Sequence, residues 1–351
     1  MGSKLTKVPE KYSGKKIYSI SKLQTYEQCQ YQFWLNYIQK LKGIENVYGF
    51  IGSIAHELVC ELQFNRITKE DAIKKLHNDL LEMELRNCKF PSPKIEKNFT
   101  ECLEHYLNNF QPINCKQIKF EKEIYTEINE HIFRMFIDAV ILTNDDKLEI
   151  IDFKTSTKYS TNDIEKKYKY QLLLYAYATE QEFKVKLNSV KWNFLKYCTI
   201  TYEEQLKTKT KLKYKNVARN EIVSELSSDI KKRLLALGKT EAETFIILEK
   251  AEKKKEIPEQ LKSFYKIEDF YVEYPWNEET KQQLLNYINK IIVEVEFKSQ
   301  ENEFEGFELN DKNSFFCVHL CGQKNNCKYY KNYQDKWDYG KPQDEYAELF
   351  G

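Results

Sequence analysis

The chain has 351 residues, enough for one large domain or for a catalytic domain carrying an inserted lobe, and its 41% hydrophobic and 31% charged content describes an ordinary globular protein. No apolar run approaches the ~20 residues of a bilayer span, and the polar, lysine-bearing start lacks a signal-peptide core, which argues against a membrane role and for a cytoplasmic location. The formal charge is +1, with 55 Lys and Arg against 54 acids, so the molecule is no polycation and a nucleic-acid partner would need local basic patches.

Ser19 to Leu41 reads as a helix that Ser21 can cap, with Leu23, Tyr26, Phe33, Leu35, Tyr37 and Ile38 as its apolar stripe. A second helix opens at Gly52 and runs to Leu62. Amphipathic helices follow at Lys69 to Leu85 and Ile95 to Phe110, parted by Pro91 and Pro93. Strands are expected from about Ile118, over Ile132 to Thr143 and over Leu148 to Phe153. A helix from Asp163 to Glu180 and a strand from Val190 to Tyr197 come next. This order predicts an α/β sandwich of helices around a mixed sheet, not a regular βαβ repeat.

Thr201 to Glu259 reads as an insertion. Its Lys207, Lys209, Lys211, Lys213 and Lys215 would share one face of an extended chain. They either guard an edge strand or form a comb of ammonium groups along a phosphate backbone, in which case the lobe is a candidate lid or clamp. Two helices follow, Val217 to Leu237 stopped by Gly238, and one that opens on the capping box Thr240-Glu241-Ala242-Glu243 and is closed by Pro258. A strand at Phe270 to Tyr274, a helix at Glu278 to Val295 and an aromatic, cysteine-bearing tail complete the chain. The expected units are residues 1–118, helical, with Cys29 and His56; 119–200, the catalytic core; 201–262, the basic lobe; and 263–351, the last strand, helix and cysteines.

The chemistry concentrates in two apolar runs. Asp138 and Asp152 stand at their polar ends, and Lys154 follows two residues after the second carboxylate. Residues i and i+2 of a strand share a face, so Asp152 and Lys154 lie together, and a hairpin can bring Asp138 beside them. Two convergent carboxylates bind a hard divalent cation, and a neighbouring ammonium can orient water or steady negative charge. That is a minimal kit for metal-assisted phosphodiester hydrolysis. Gln171 and Tyr175 are one helical turn apart and share a face.

Five motifs follow one another: Ser19-Ile20-Ser21-Lys22-Leu23 with Tyr26, Cys29, Phe33 and Tyr37; Gly52-Ser53-Ile54-Ala55-His56; Ile137-Asp138; Ile151-Asp152-Phe153-Lys154-Thr155; and Gln171-Leu172-Leu173-Leu174-Tyr175. In this order they resemble RecB/AddB-type nucleases of the PD-(D/E)xK superfamily. The resemblance implies a restriction-endonuclease-like mixed sheet and a Mg²⁺- or Mn²⁺-dependent DNA nuclease. In it, His56, Asp138, Asp152 and the Phe153 carbonyl surround the metal. Lys154 stands by the attacking water, and Gln171 and Tyr175 orient the DNA strand or the lysine. Glu121 or Glu123, on the preceding strand, is a candidate further ligand. Met135 and Phe136 depart from the small residue the family often carries just ahead of its first aspartate.

Nine cysteines without a secretion signal point to free thiols or a metal site rather than a disulfide framework. Cys317, Cys321 and Cys327 cluster in the tail. With Cys29 they resemble the arrangement by which AddB and the CRISPR-adaptation nucleases staple their chain ends with a [4Fe–4S] cluster. The three-residue gap between Cys317 and Cys321 is one longer than usual, and His319 could substitute as a ligand if zinc is bound. The other five cysteines read as small apolar side chains. The expected protein is a DNA exonuclease or flap-type nuclease acting on single strands or duplex ends in repair, recombination, or phage or CRISPR DNA processing. The alternatives are a silent nuclease-fold scaffold and a subunit dependent on a helicase or integrase. The chain has no Walker A pattern, so ATP-driven unwinding would come from elsewhere.

Overall fold

The computed structural model describes residues 8–205, 210–306, 308–309 and 314–333. A short strand, β1 (Ile17–Tyr18), leads into α1 (Ile20–Gln28). Ser19, not Ser21, caps this helix, its hydroxyl accepting the Lys22 amide. The long helix expected to Leu41 is broken at Cys29, where the backbone is extended (φ −163°). The Cys29 sulfur accepts the Gln32 amide and so starts α2 (Gln30–Phe33), which widens into a π turn at Trp34–Ile38. Helices α3 (Val47–Gln63), α4 (Lys69–Leu85) and α5 (Pro93–Asn108) follow, capped by Asn46, Thr68 and Ser92.

Strands β2 (Gln117–Ile128) and β3 (His131–Leu142) form a hairpin on Asn129-Glu130, both at positive φ as a two-residue turn requires. Then come β4 (Leu148–Lys154), α6 (Thr161–Asp163), a π turn at Ile164–Tyr168, and α7 (Lys169–Phe183). After these, β5 (Leu187–Gln205), β6 (Thr210–Ala218), α8 (Ile222–Ala236), α9 (Glu241–Lys254), β7 (Tyr265–Tyr274) and α10 (Glu278–Glu301) complete the regular elements.

Among the described residues seven strands make one mixed sheet. β3 lies between antiparallel β2 and β4, β5 runs parallel to β4, and β7 pairs antiparallel along the other edge of β5. β1 pairs parallel with the start of β3, and β6 pairs antiparallel with the far half of β5. One face packs on α1, α7 and α10 through Leu23, Ile150, Leu172, Trp192 and Ile288. The other packs on α3, α4 and α5 through Ile51, Leu58, Leu76, Leu103 and Leu195. This is the α/β arrangement the element order predicts.

β5 runs unbroken through position 201, where the basic lobe was expected to open. The lobe is therefore a prolongation of the sheet, with its own core of Ile200, Ile222, Leu226 and Leu234. Lys207 and Lys209 lie outside the described residues. Lys213 pairs with Glu204 at 3.1 Å and Lys215 with Glu225 at 3.2 Å, so these teeth of the comb are already neutralised. Among the described residues, no helix is long and apolar enough to cross a membrane.

Candidate active site

The site is built where a strand pair rolls over. The β2–β3 register continues unchanged on both sides of Glu121 and Asp138, but those two opposed residues make no ladder pair, and Glu121 has φ +48°. Before this point on β3, Phe133, Met135 and Ile137 face the α1, α7 and α10 core; beyond it, Ala139 and Ile141 face the α3 to α5 core. β2 exchanges faces in step, from Ile118 and Phe120 to Ile124 and Ile128. Holding a non-glycine residue left-handed costs about 1–2 kcal/mol. Strain kept at such a crossing marks Glu121 as a residue placed for its side chain.

The strands also separate here. β3 and β4 pair only as far as Ala139 with Ile151, which leaves the next stretch of β4 free of β3. Asp138 Oδ2 accepts the Phe153 amide at 2.7 Å, and His56 Nε2, from α3, donates to the Phe153 carbonyl at 2.9 Å. His56 Nδ1 then faces Asp138 Oδ2 at 3.7 Å and Glu121 Oε1 at 3.9 Å. The ligand atoms of His56, Glu121 and Asp138 all lie within 4.8 Å of one another. Glu123, the other acidic candidate on β2, instead pairs with Arg134 at 2.8 Å.

Asp152 projects to the α7 side and is only 1% exposed. Its Oδ2 meets Lys154 Nζ at 2.5 Å but off the direction of a hydrogen bond, so that oxygen is buried without a donor. Lys154 donates to Gln171 Oε1 at 3.1 Å, and Gln171 Nε2 donates to the Tyr175 hydroxyl at 2.9 Å. The structure thus links Asp152, Lys154, Gln171 and Tyr175 through one chain of contacts, while Asp138 meets Phe153 and His56 beside it. Met135 is absorbed by the core, while the Phe136 ring lies 4.9 Å from the Arg134 guanidinium.

The electrostatics follow the crowding. Burial, then the Asp152 charge, raises the Asp138 pKa to about 7. Burial works against charge on His56, but Asp138 and Glu121 outweigh it and lift its pKa to about 9. At Lys154 burial also opposes the charge and the Asp152 carboxylate wins, so the ammonium stays protonated well above its ordinary range. Carboxylate oxygens and one imidazole are a hard donor set of the kind a divalent cation takes. His56, Glu121 and Asp138 fit a divalent ion, with Asp152 near enough for its charge to act on Asp138.

A family profile for PD-(D/E)XK nucleases matches residues 17–327. The chain belongs to the PD-(D/E)XK nuclease superfamily. Its mixed sheet flanked by helices is accordingly the restriction-endonuclease-like fold, and nucleases of this superfamily use divalent metals. No curated protein matches the sequence. A crystal structure named "Putative exonuclease" from Eubacterium rectale is similar at 11% identity and TM-score 0.32, over 70% of this chain and 88% of that one. The crystal structure of SSO0001 is similar at 12% identity and TM-score 0.23, over 57% of this chain and 68% of that one. Neither likeness is close enough to carry an argument.

Away from this site, Cys29, Cys317, Cys321 and Cys327 lie near enough for their charges to act on one another. Burial, then the charges of Cys321, Cys29 and Cys327, pushes the Cys317 thiol up to about 12. Burial, with Cys29 and Cys327, pushes Cys321 up to about 11. Hydrogen bonds hold these segments together: the Ile44 amide donates to the Gly322 carbonyl at 2.7 Å, the Asn46 side-chain Nδ2 to the Leu320 carbonyl at 2.8 Å, and the Tyr31 amide to the Glu305 carbonyl at 3.1 Å. A Cβ on Gly322 would meet the Ile44 carbonyl at 2.8 Å, so only glycine fits this approach. His319 is exposed, its ring 5.0 Å from Phe315.

Proposed function

We propose that the protein is a Mg²⁺- or Mn²⁺-dependent deoxyribonuclease. It would act as an exonuclease on single-stranded or duplex DNA ends, in cytoplasmic repair, recombination, or phage or CRISPR DNA processing. The observation that carries this reading is the convergence of His56, Glu121 and Asp138 beside Asp152 and an ammonium that is itself fixed in place. The motif order from Ser19 to Tyr175, which resembles RecB/AddB-type enzymes, supports the preference for ends.

A divalent ion held by these residues would neutralise charge on the scissile phosphate and lower the pKa of a water. The chain's own groups do the rest. The Phe153 amide aims Asp138, and the Phe153 carbonyl aims His56. Asp152 keeps Lys154 charged, and Gln171, steadied by Tyr175, points its Nζ at the reaction space, where it orients the nucleophile and stabilises charge on the phosphoryl oxygens. With no Walker A pattern in the sequence, unwinding of long duplexes would require a helicase partner, and spacer integration an integrase.

We further propose that Cys29, Cys317, Cys321 and Cys327 hold a [4Fe–4S] cluster that staples the first helices to the tail. One buried and three half-buried thiols, close enough for their charges to act on one another, are a donor set for soft metal. Zinc is the lesser candidate. Iron with acid-labile sulfide in the brown, freshly purified protein supports the cluster; a colourless, zinc-containing sample contradicts it.

The decisive assay for the enzyme is purified protein with Mg²⁺ or Mn²⁺ on end-labelled single- and double-stranded DNA, beside Asp152→Ala. Metal-dependent shortening by the wild type alone supports the nuclease. DNA binding without cleavage under any metal supports a silent scaffold instead.

A further inference from the structure

The reading as a nuclease leaves one buried cation unexplained. Lys196 lies on β5, two residues beyond Phe194, which pairs with Lys154 of β4. There β5 bulges against β7: residues 194–197 stand opposite Phe270 alone, between the pairs Asn193 with Tyr271 and Cys198 with Asp269. A bulge re-aims side chains. Leu195 and Lys196 in consequence both turn toward the α3 to α5 side, where the Lys196 ammonium sits 3.5 Å from the centre of the Phe99 ring.

Lys196 is only 5% exposed, and among the described residues it has no carboxylate and no hydrogen-bond acceptor. A cation–π contact returns only part of the cost of burying an ammonium, so the site is left in electrostatic deficit. Burial lowers its pKa to about 8, opposed only weakly by Cys102.

Lys196 lines a cleft of about 1080 Å³ that also reaches His56 and Lys154. Lys94 and Lys158 line the same cleft, without carboxylate partners among the described residues, and Tyr48 and Tyr197 add aromatic rings. Cations that track a backbone, alternating with rings on which unpaired bases can stack, are the furniture of a single-strand groove.

We propose that this cleft is a single-stranded DNA channel leading to the catalytic centre, in which Lys196 holds one phosphodiester flanking the cleaved linkage. The inference rests on the nuclease reading for its substrate, but its test needs no cleavage. Lys196 is a positioning residue: its phosphate contact fixes which linkage of the strand meets Lys154.

The test uses the full chain without divalent metal and a short labelled oligothymidylate, read by fluorescence anisotropy across a salt series. Lys196→Met, which keeps the packing on Phe99, should weaken binding about tenfold and flatten the salt slope by about 0.7, one phosphate's worth for a single strand. A second arm replaces each phosphodiester in turn by an uncharged methylphosphonate. In the wild type, one linkage should cost as much as the mutation, and in Lys196→Met that linkage should become silent. Unchanged affinity and slope in a folded Lys196→Met overturn the proposal, as does a blunt duplex that binds as tightly as the single strand. If Lys196→Met does not fold, the wild-type scan decides: one sensitive linkage supports the channel, and a uniform response refutes it. Absent cleavage by the wild type with metal would sink the nuclease reading while leaving this binding result standing.

Discussion

Lys154, half-buried, and Lys196, buried, line the same cleft, yet their surroundings drive them in opposite directions. At Lys154 burial is outweighed by the Asp152 carboxylate and the charge is locked in; at Lys196 burial prevails and the pKa falls to about 8. The difference lies in whether the fold supplies the counter-charge. Where it does, the group is fixed before substrate arrives. Where it does not, an anion from outside completes the site.

The sharpest way to break the contrast is to remove the internal partner. Asp152→Asn should reduce metal-dependent cleavage by about 10³-fold or more, since it removes a charge proposed to serve the metal and leaves Lys154 in the condition of Lys196. A loss below about tenfold in initial rates would show that Asp152 does neither job. Glu121→Gln tests the strained crossing, and removing one ligand there should cost about 10–100-fold in Mn²⁺ affinity, measured by calorimetry. Unchanged affinity would make the left-handed Glu121 a structural accident.

A smaller effect appears in thermal stability. Asp138 is raised from 3.8 to about 7, so the stability it contributes when protonated is present below its unfolded value and lost as pH rises through about 7. His56 is raised from 6.5 to about 9, so its contribution is likewise lost on the alkaline side. Metal-free protein should therefore melt lower at about pH 8.5 than at about pH 5.5, and Mn²⁺ should raise the Tm more at the higher pH, by replacing the lost protons. An equal Mn²⁺ shift at both values would contradict this coupling. The smallest effect is expected at Lys213, already paired with Glu204. Lys213→Ala should change stability by no more than about 0.5 kcal/mol and leave DNA affinity and its salt slope as they were; a lower slope would restore the phosphate-comb reading.

Much of the centre was legible in the sequence because its cues are local. The i, i+2 spacing of Asp152 and Lys154 and the one-turn spacing of Gln171 and Tyr175 fix who shares a face, and the structure joins them in one chain. Glu121 was harder to single out from Glu123, because regular alternation gives both the same face. Counting back from the two-residue turn Asn129-Glu130 would have set Glu121 opposite Asp138, but not the roll that turns both outward. The break at Cys29 was hidden by a continuous apolar stripe on either side of it, and the sulfur cap that starts α2 has no periodic signature. The lysine comb stayed open between two readings because alternation reports a shared face, not which carboxylates of β5 and α8 will meet it. The bulge that exposes Lys196 to its cleft arises from pairing with β7, dozens of residues away, and is invisible to any local reading.

The central claim is that the rolled β2–β3 crossing is a divalent-metal centre. Calorimetric titration of Mn²⁺ into the wild type and into folded Asp138→Asn tests it most directly. The account predicts saturable binding by the wild type that is abolished in the variant. Equal binding by both proteins, or none by the wild type, would contradict it.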